Sequence, residues 1–210
     1  FYDGMNFNNA IGYKHLTKPV DFRYYMGSIV DHEQNILFAT TEIGGIKYDG
    51  HSFSRLKFNV DYATTLIFFE DPDNYDLYAG TSTGLYRFQK DKPDQKIDIQ
   101  PGNGKSQNVV SIIKDKYKRF WMGGFSGISL LEGDQITHLP TSEIPFDEGG
   151  NAMIVDSSKN IWIGNTNGLT HYNYESFIAI EHPNLNTMIT SLAMIGDSAL
   201  LIGHVNGLAM

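Results

Sequence analysis

Short apolar runs alternate with turns along the whole chain, and the same order of runs recurs. One copy reads Asn160-Ile161-Trp162-Ile163-Gly164 and continues, three residues later, with Gly168-Leu169. A glycine therefore follows the tryptophan by two positions, and a Gly-Leu pair begins six positions after it. Apolar and polar residues alternate in these runs, which is typical of β-strands, and no segment sustains the 3.6-residue period of a helix.

The same spacing recurs around five anchor residues, which are Leu37, Tyr78, Trp121, Trp162 and Leu201. The anchors are separated by 41, 43, 41 and 39 residues, and the copy around Leu37 is looser, with Ala39 in the place of the glycine. Each repeat predicts four short strands: an apolar strand, the anchor strand, the Gly-Leu strand and a variable outer strand. Four strands in ~40–45 residues are typical of one blade of a β-propeller.

The predicted fold class is therefore all-β, a β-propeller of four-stranded antiparallel blades with about five repeat units in one domain. The units run roughly over residues 1–46, 47–86, 87–128, 129–169 and 170–210. Residues 1–7 align with residues 47–53, which occupy the part of the repeat that follows the Gly-Leu pair. Two arrangements follow: a closed five-bladed ring whose last blade is completed by the N-terminal strand, or part of a larger, seven-bladed or tandem propeller. We favour the larger propeller.

Composition narrows the possible functions. The 210 residues carry a formal net charge of −8 and include no cysteine. The negative charge argues against a nucleic-acid surface or a polybasic membrane patch. The lack of cysteine excludes disulfides, thiolate metal sites and a cysteine nucleophile. The histidines show no short metal-ligand spacing, so we expect neither a metal nor a cofactor.

The run from Asp156 to Leu169 resembles the two-component regulator propeller repeat, and the run from Asp115 to Ile128 is the next best copy. The other three copies depart from the pattern because they lack the tryptophan. The resemblance implies the periplasmic sensor region of a Bacteroides-type hybrid two-component histidine kinase. Such regions respond to oligosaccharides released from glycans and regulate carbohydrate-utilisation genes. The resemblance also implies that the segment is not an enzyme, that the full receptor is a homodimer, and that this segment binds neither nucleic acid nor membrane.

Candidate ligand-binding residues follow from propeller geometry. The loops that enter the inner strands and the turns between second and third strands gather at one end, where they form a concave funnel. Amide, hydroxyl and aromatic side chains in these loops suit a neutral oligosaccharide. The predicted site residues are Arg23, Tyr24, Tyr62, Asn108, Phe125, Asn151, Asn167 and Asn206.

Several features have competing interpretations. Trp121 and Trp162 could stack on sugars, but their place in the repeat favours packing between blades. The oxygen-rich segment 71–76 resembles a calcium-binding loop, but the equivalent segments of the other repeats are expected to be hairpin turns. One alternative function is an interaction or dimerisation scaffold, for which Tyr172, Tyr174 and Phe177 could supply an exposed surface. Another is a propeller lyase or hydrolase, although no nucleophile-elbow motif is present.

Overall fold

The computed structural model describes residues 25–41, 44–56, 64–99, 107–146 and 149–210, and its strands form five antiparallel sheets. Sheet 1 contains β1 (Tyr25–Val30), β2 (Ile36–Thr40), β3 (Gly44–Tyr48) and β4 (Phe53–Leu56). Sheet 2 contains β5 (Thr65–Glu70), β6 (Leu77–Thr81), β7 (Gly84–Phe88) and β8 (Gln95–Ile97). Sheet 3 contains β9 (Ser111–Lys114), β10 (Phe120–Gly124), β11 (Gly127–Glu132) and β12 (Gln135–His138).

Sheet 4 contains β13 (Ala152–Val155), β14 (Ile161–Gly164), β15 (Leu169–Tyr172) and β16 (Phe177–Ile180). Sheet 5 shows three strands among the described residues: β17 (Ile189–Ile195), β18 (Ala199–His204) and β19 (Gly207–Ala209). Short 3₁₀ turns precede sheets 4 and 5, at Thr141–Glu143 and Pro183–Leu185. The N-terminal strand predicted at residues 1–7 lies outside the described residues, as do the predicted site residues Arg23, Tyr24 and Tyr62.

The sheets follow one another as the blades of a β-propeller. The first strand of each sheet contacts the first strand of the next, from β1 through β5, β9 and β13 to β17. Within each sheet the strands pair in chain order, so every blade is a simple antiparallel meander. The predicted all-β propeller, with its apolar, anchor, Gly-Leu and outer strands, is confirmed.

The anchor residues fill the space between neighbouring sheets. Trp121 is fully buried in a cluster with Ile128 of its own sheet and Ile163 of sheet 4. Trp162 is half-buried and packs against the cluster that joins sheets 4 and 5. Both tryptophans are therefore core residues, as their place in the repeat predicts. Tyr172 and Phe177 stack at 4.3 Å between ring centroids and pack on the cluster around Trp121, so they contribute to the interior.

An aspartate begins the hairpin turn between the first two strands of sheets 1 to 4, and its carboxylate organises that turn. In sheet 3, Asp115 Oδ1 accepts the Arg119 backbone N–H at 2.9 Å, and Asp115 Oδ2 accepts the Trp121 indole N–H at 2.9 Å. In sheet 4, Asp156 Oδ2 accepts the Trp162 indole N–H at 3.1 Å. The acid six residues before the tryptophan thus satisfies the polar edge of a buried ring.

Segment 71–76 is the corresponding hairpin of sheet 2. Asp71 Oδ1 accepts the Asp73 backbone N–H at 3.0 Å, and Tyr75 adopts φ of 63°. Left-handed residues recur in the other three hairpins at Gln34, Lys118 and Lys159, with φ between 66° and 70°. The hairpin interpretation of this oxygen-rich segment is confirmed.

The glycine two positions after the anchor lets the neighbouring backbone pass directly over the anchor strand. A methyl group at Gly80 would lie 2.6 Å from the Val109 carbonyl oxygen, which belongs to the segment entering sheet 3. At Gly123 the obstructing atom would be the Gly150 carbonyl oxygen, from the segment entering sheet 4. Sheets 2 and 3 need glycine here because the segment entering the next blade packs against this point, whereas sheet 1 has the small residue Ala39.

Substitution of Gly80 tests this contact. We expect Gly80→Ala to lower the free energy of unfolding by about 1–3 kcal/mol, since the added methyl group meets rigid backbone. Urea denaturation measures the change. Gly27→Ala is the matched control, because the nearest atom to its new methyl group, the Leu66 carbonyl oxygen, is 4.0 Å away. Equal losses in the two variants would contradict the packing argument.

Charged side chains join neighbouring sheets at the end of the propeller that carries the Asp hairpins, which we call the hairpin end. His32 Nδ1 lies 2.7 Å from Glu70 Oε1, linking sheets 1 and 2. Lys114 Nζ lies 2.6 Å from Asp71 Oδ1, linking sheets 2 and 3, and its side chain is 12% exposed. Each contact joins a hairpin turn to the end of the next first strand.

The His32–Glu70 contact makes stability depend on pH. The hydrogen bond to Glu70 raises the pKa of His32 above its ordinary value of 6.5. The folded state then holds the proton more tightly than the unfolded state. The contribution is fully present below about pH 6.5 and is lost as the pH rises through the higher folded-state pKa. Thermal unfolding of wild type and Glu70→Gln should differ most at about pH 5.5, with the difference shrinking toward pH 8.5. A difference that stays constant over this range would contradict the assignment.

Candidate functional site

The opposite end of the propeller carries the segments that enter the first strands and the turns between second and third strands. We call it the loop end. Each turn there is closed by the residue three positions after the anchor. Thr40 and Thr81 donate their hydroxyl hydrogens to the carbonyls of Gly44 and Gly84, at 3.0 and 2.9 Å. In sheet 4 the buried Asn165 donates its Nδ2 hydrogen to Thr170 Oγ1 at 2.9 Å.

Sheet 3 is the exception, because the equivalent residue is Gly124 and has no side chain. Its turn is braced instead by Asn108 of the entering segment, whose Oδ1 accepts the Phe125 backbone N–H at 3.2 Å. Gly124 is required here, since a methyl group would collide with the Asn108 carbonyl oxygen. Asn108 is 8% exposed, whereas the Phe125 side chain is 63% exposed. A braced turn therefore presents a large aromatic ring to solvent.

Two further glycines bring the segment entering sheet 4 against this turn. Gly149 adopts φ of 58°, and a methyl group on it would lie 3.3 Å from the Phe125 Cα. A methyl group on Gly150 would lie 3.2 Å from the Gly123 Cα. The loop ends of sheets 3 and 4 are thus joined by direct backbone contact, which fixes Phe125 relative to Asn151.

Asn151 continues the group toward sheet 4. Its Nδ2 lies 3.5 Å from Thr166 Oγ1, and its backbone N–H donates to the Gly164 carbonyl at 2.9 Å. Its Oδ1 is buried and has no hydrogen-bond partner among the described residues. Asn167 lies in the same turn as Thr166 and is exposed. Phe125, Asn151 and Asn167 therefore succeed one another along this side of the loop end.

Asn206 occupies the equivalent turn of sheet 5. Its backbone N–H donates to His204 Nδ1 at 3.3 Å, and its Nδ2 donates to Thr187 Oγ1 at 3.4 Å. It is exposed, but both contacts are within its own sheet and its entering segment. The structure thus joins Asn108 to Phe125 directly and sets Asn151 beside the turn of Asn167, while Asn206 stands apart in sheet 5.

Charge is distributed unevenly between the two ends. The ion pairs between described residues involve the Asp hairpins or the strand ends beside them, and these lie at the hairpin end. The described residues of the loop end offer amides, hydroxyls, the exposed rings of Tyr25 and Phe125, and the histidine His204. Within the described ranges, no group of three histidine, aspartate or glutamate side chains could hold a metal ion. Neutral hydrogen-bonding groups beside an aromatic face are suited to binding an uncharged polar molecule.

The sequence did not predict two features of the loop end, the role of Asn165 in closing its turn and the role of Asn108 in bracing the turn of sheet 3. Asn165 was not a predicted site residue, although it is 1% exposed and closes its turn. The recurrence of Thr, Thr and Asn three positions after the anchor was the available signal. The bracing role of Asn108 had no such signal, because it depends on a contact across 17 residues.

The bracing role of Asn108 can be measured. We expect Asn108→Ala to lower the free energy of unfolding by about 0.5–1.5 kcal/mol and to speed hydrogen exchange at the Phe125 amide, which loses its acceptor. Asn167→Ala, in an exposed position of a neighbouring turn, should change neither quantity. Unaltered exchange at Phe125 in Asn108→Ala would contradict the role.

The chain matches no protein-family model and no curated protein. Among solved structures it is similar to the extracellular domain of BT4673 from B. thetaiotaomicron, a protein assigned as a hybrid two component system. The TM-score is 0.75 at 16% identity, over 91% of this chain and 28% of that chain. The corresponding domain of BT3049, from the same organism, gives a TM-score of 0.53 at 17% identity, over 88% of this chain and 33% of that one.

Enzymes share the fold as well. Virginiamycin B lyase from Staphylococcus aureus has a TM-score of 0.71 at 11% identity, covering 90% of this chain and 70% of that chain. At these identities the likeness shows the fold alone. The chain spans less than a third of the length of the BT4673 domain. No helix in the described part of the chain is long and apolar enough to cross a membrane.

Proposed function

We propose that this chain is part of the extracytoplasmic, periplasmic sensor propeller of a two-component signalling protein. The observation that carries the proposal is the solvent-exposed Phe125, held on a braced turn beside Asn151 and Asn167. The fold shared with the extracellular domain of BT4673 supports the sensor role. The resemblance of residues 156–169 to the two-component regulator propeller repeat supports it independently.

The ligand in this proposal is a neutral oligosaccharide derived from a glycan. The exposed ring of Phe125 offers an apolar face of the kind on which a sugar ring stacks, and amide side chains can donate to and accept from hydroxyl groups. The ion pairs between described residues lie at the opposite end, and the described turns at the loop end contain no lysine or arginine that would favour a sulfated or acidic glycan. Binding would signal to a kinase that regulates carbohydrate-utilisation genes, and dimerisation of the full receptor belongs to the same proposal.

The segment binds its ligand without converting it. Apart from His204, the loop-end side chains described above are amides, hydroxyls and aromatic rings, which include no general base or activated nucleophile. His204 is the histidine of this group, and its Nδ1 already accepts the Asn206 backbone N–H.

Calorimetric titration tests the ligand and the site together. Maltoheptaose, xylohexaose and mannohexaose are titrated separately into the purified chain, with a heparin-derived hexasaccharide as the charged comparison. We expect at least one neutral oligosaccharide to bind and the heparin fragment not to bind. Phe125→Ala should weaken binding at least about tenfold, since covering an exposed Phe side chain is worth ~1.5–3 kcal/mol.

The matched control is Ile178→Ala, which truncates another exposed apolar side chain, on the outer strand β16. It should leave affinity unchanged. If all three neutral oligosaccharides fail to bind, or if Phe125→Ala binds as tightly as wild type, the loop-end site is wrong.

A further inference from the structure

A cavity lies between sheets 2 and 3, lined by Asp71 and Asn74 at the hairpin end and by the outer strand β8 along its side. Its volume is about 510 Å³. Ligand cavities commonly measure ~300–1,000 Å³. The walls come from both sheets, so the cavity interrupts one of the junctions between blades. Its lining includes Asn74, Tyr78, Arg87, Gln95, Asp134 and Ile136.

Sheet 2 has a tyrosine at the anchor position where sheets 3 and 4 have tryptophan. The smaller ring of Tyr78 packs on Phe120 at 4.7 Å between centroids. In sheets 3 and 4 the indole N–H reaches the hairpin aspartate. In sheet 2 the hairpin is one residue longer, and Asp71 accepts from Lys114 instead. Tyr78 is therefore left without that partner.

Tyr78 is the first group that points to a ligand. It is 3% exposed, it lines the cavity, and its hydroxyl has no hydrogen-bond partner among the described residues. Although the ring is buried, the hydroxyl oxygen itself is accessible from the cavity, where a ligand can reach it. Burial raises the pKa of Tyr78 to about 12, so the hydroxyl keeps its proton at neutral pH and can donate.

Arg87 is the second group. Its Nε and Nη2 donate to Asp76 Oδ2 at 3.0 and 2.6 Å, which holds the guanidinium in one orientation against the Tyr78 ring. The N–H groups on Nη1 have no partner among the described residues and are free for an acceptor in the cavity. Gln95, an exposed amide of β8, offers both a donor and an acceptor at the mouth.

The balance of charge and polarity defines the ligand class. Asp71 is paired with Lys114, and Arg87 is paired with Asp76. The other charged lining residues, Lys96, Asp98 and Asp134, are exposed at the rim and carry charges of both signs. The Tyr78 hydroxyl, Arg87 and the Gln95 amide provide both hydrogen-bond donors and hydrogen-bond acceptors to the cavity. The apolar side chains of Ile97 and Ile136 lie beside them. A hydroxyl both donates and accepts, and a hydroxylated ring has apolar C–H faces. We propose that this cavity binds a small neutral hydroxylated ring of monosaccharide chemistry, held by the Tyr78 hydroxyl, Arg87 and Gln95.

The test uses D-glucose, D-galactose and D-mannose, each titrated into the ¹⁵N-labelled 210-residue chain and followed by amide chemical shifts. At least one sugar should shift the amides of residues 95–97 and 133–134 in a saturable way. Tyr78→Phe should raise its Kd at least about fivefold, because one hydrogen bond to the ligand is lost. The same variant should keep or slightly raise the thermal midpoint, since it removes only a hydroxyl without a partner.

Two further variants separate this site from the loop end. Gln95→Ala, on the exposed edge strand, should also weaken binding, whereas Phe125→Ala should not change it. Loop-end binding would instead shift the amides of residues 125, 151 and 167 and respond only to Phe125→Ala. The proposal is wrong if no sugar shifts the cavity amides, or if Tyr78→Phe and Gln95→Ala bind as tightly as wild type.

Discussion

The structure depends on covering both faces of each sheet. A four-stranded blade presents apolar side chains on two sides, and each side must be buried against a neighbour. Leu37, Tyr78 and Trp121 meet this requirement on the side that faces the next sheet. The glycine two positions later lets the next entering segment approach closely enough for that contact. The packing sets the distance between neighbouring sheets, and the turns, hairpins and ion pairs stabilise the sheets at that distance.

The two ends of the propeller are stabilised by different kinds of contact. At the hairpin end, carboxylates close turns, accept indole hydrogens and pair with cations from the neighbouring sheet, and these contacts fix the blades against one another. At the loop end the turns are closed by hydroxyl and amide groups instead. In the described turns between second and third strands, Phe125 is the exposed aromatic ring. The proposed binding chemistry is possible there because the charged contacts lie elsewhere.

Much of the fold could be predicted from spacing because the constraint repeats. The anchors recur every 39–43 residues, and the structure shows the glycine of the close approach in sheets 2 to 5 and the Asp hairpins in sheets 1 to 4. The loop end was harder to predict. Asn108 and Phe125 were both named, but nothing in the sequence shows that one braces the other, since that follows from the lack of a side chain at Gly124. The cavity beside Tyr78 is lined by residues of two sheets, so it is visible only when the sheets are packed.

The contacts at the hairpin end also differ from one junction to the next. Sheets 1 and 2 meet through His32 and Glu70, sheets 2 and 3 through Asp71 and Lys114, and sheets 3 and 4 through the rings of Tyr117 and Tyr174. The repeats are therefore not interchangeable. Exchanging sheets 2 and 3 would put Lys114 opposite His32 and take Asp71 away from its cation. The side chains of each sheet fit one particular neighbour. The order of the sheets around the propeller is therefore determined by these contacts as well as by the order of the sheets along the chain.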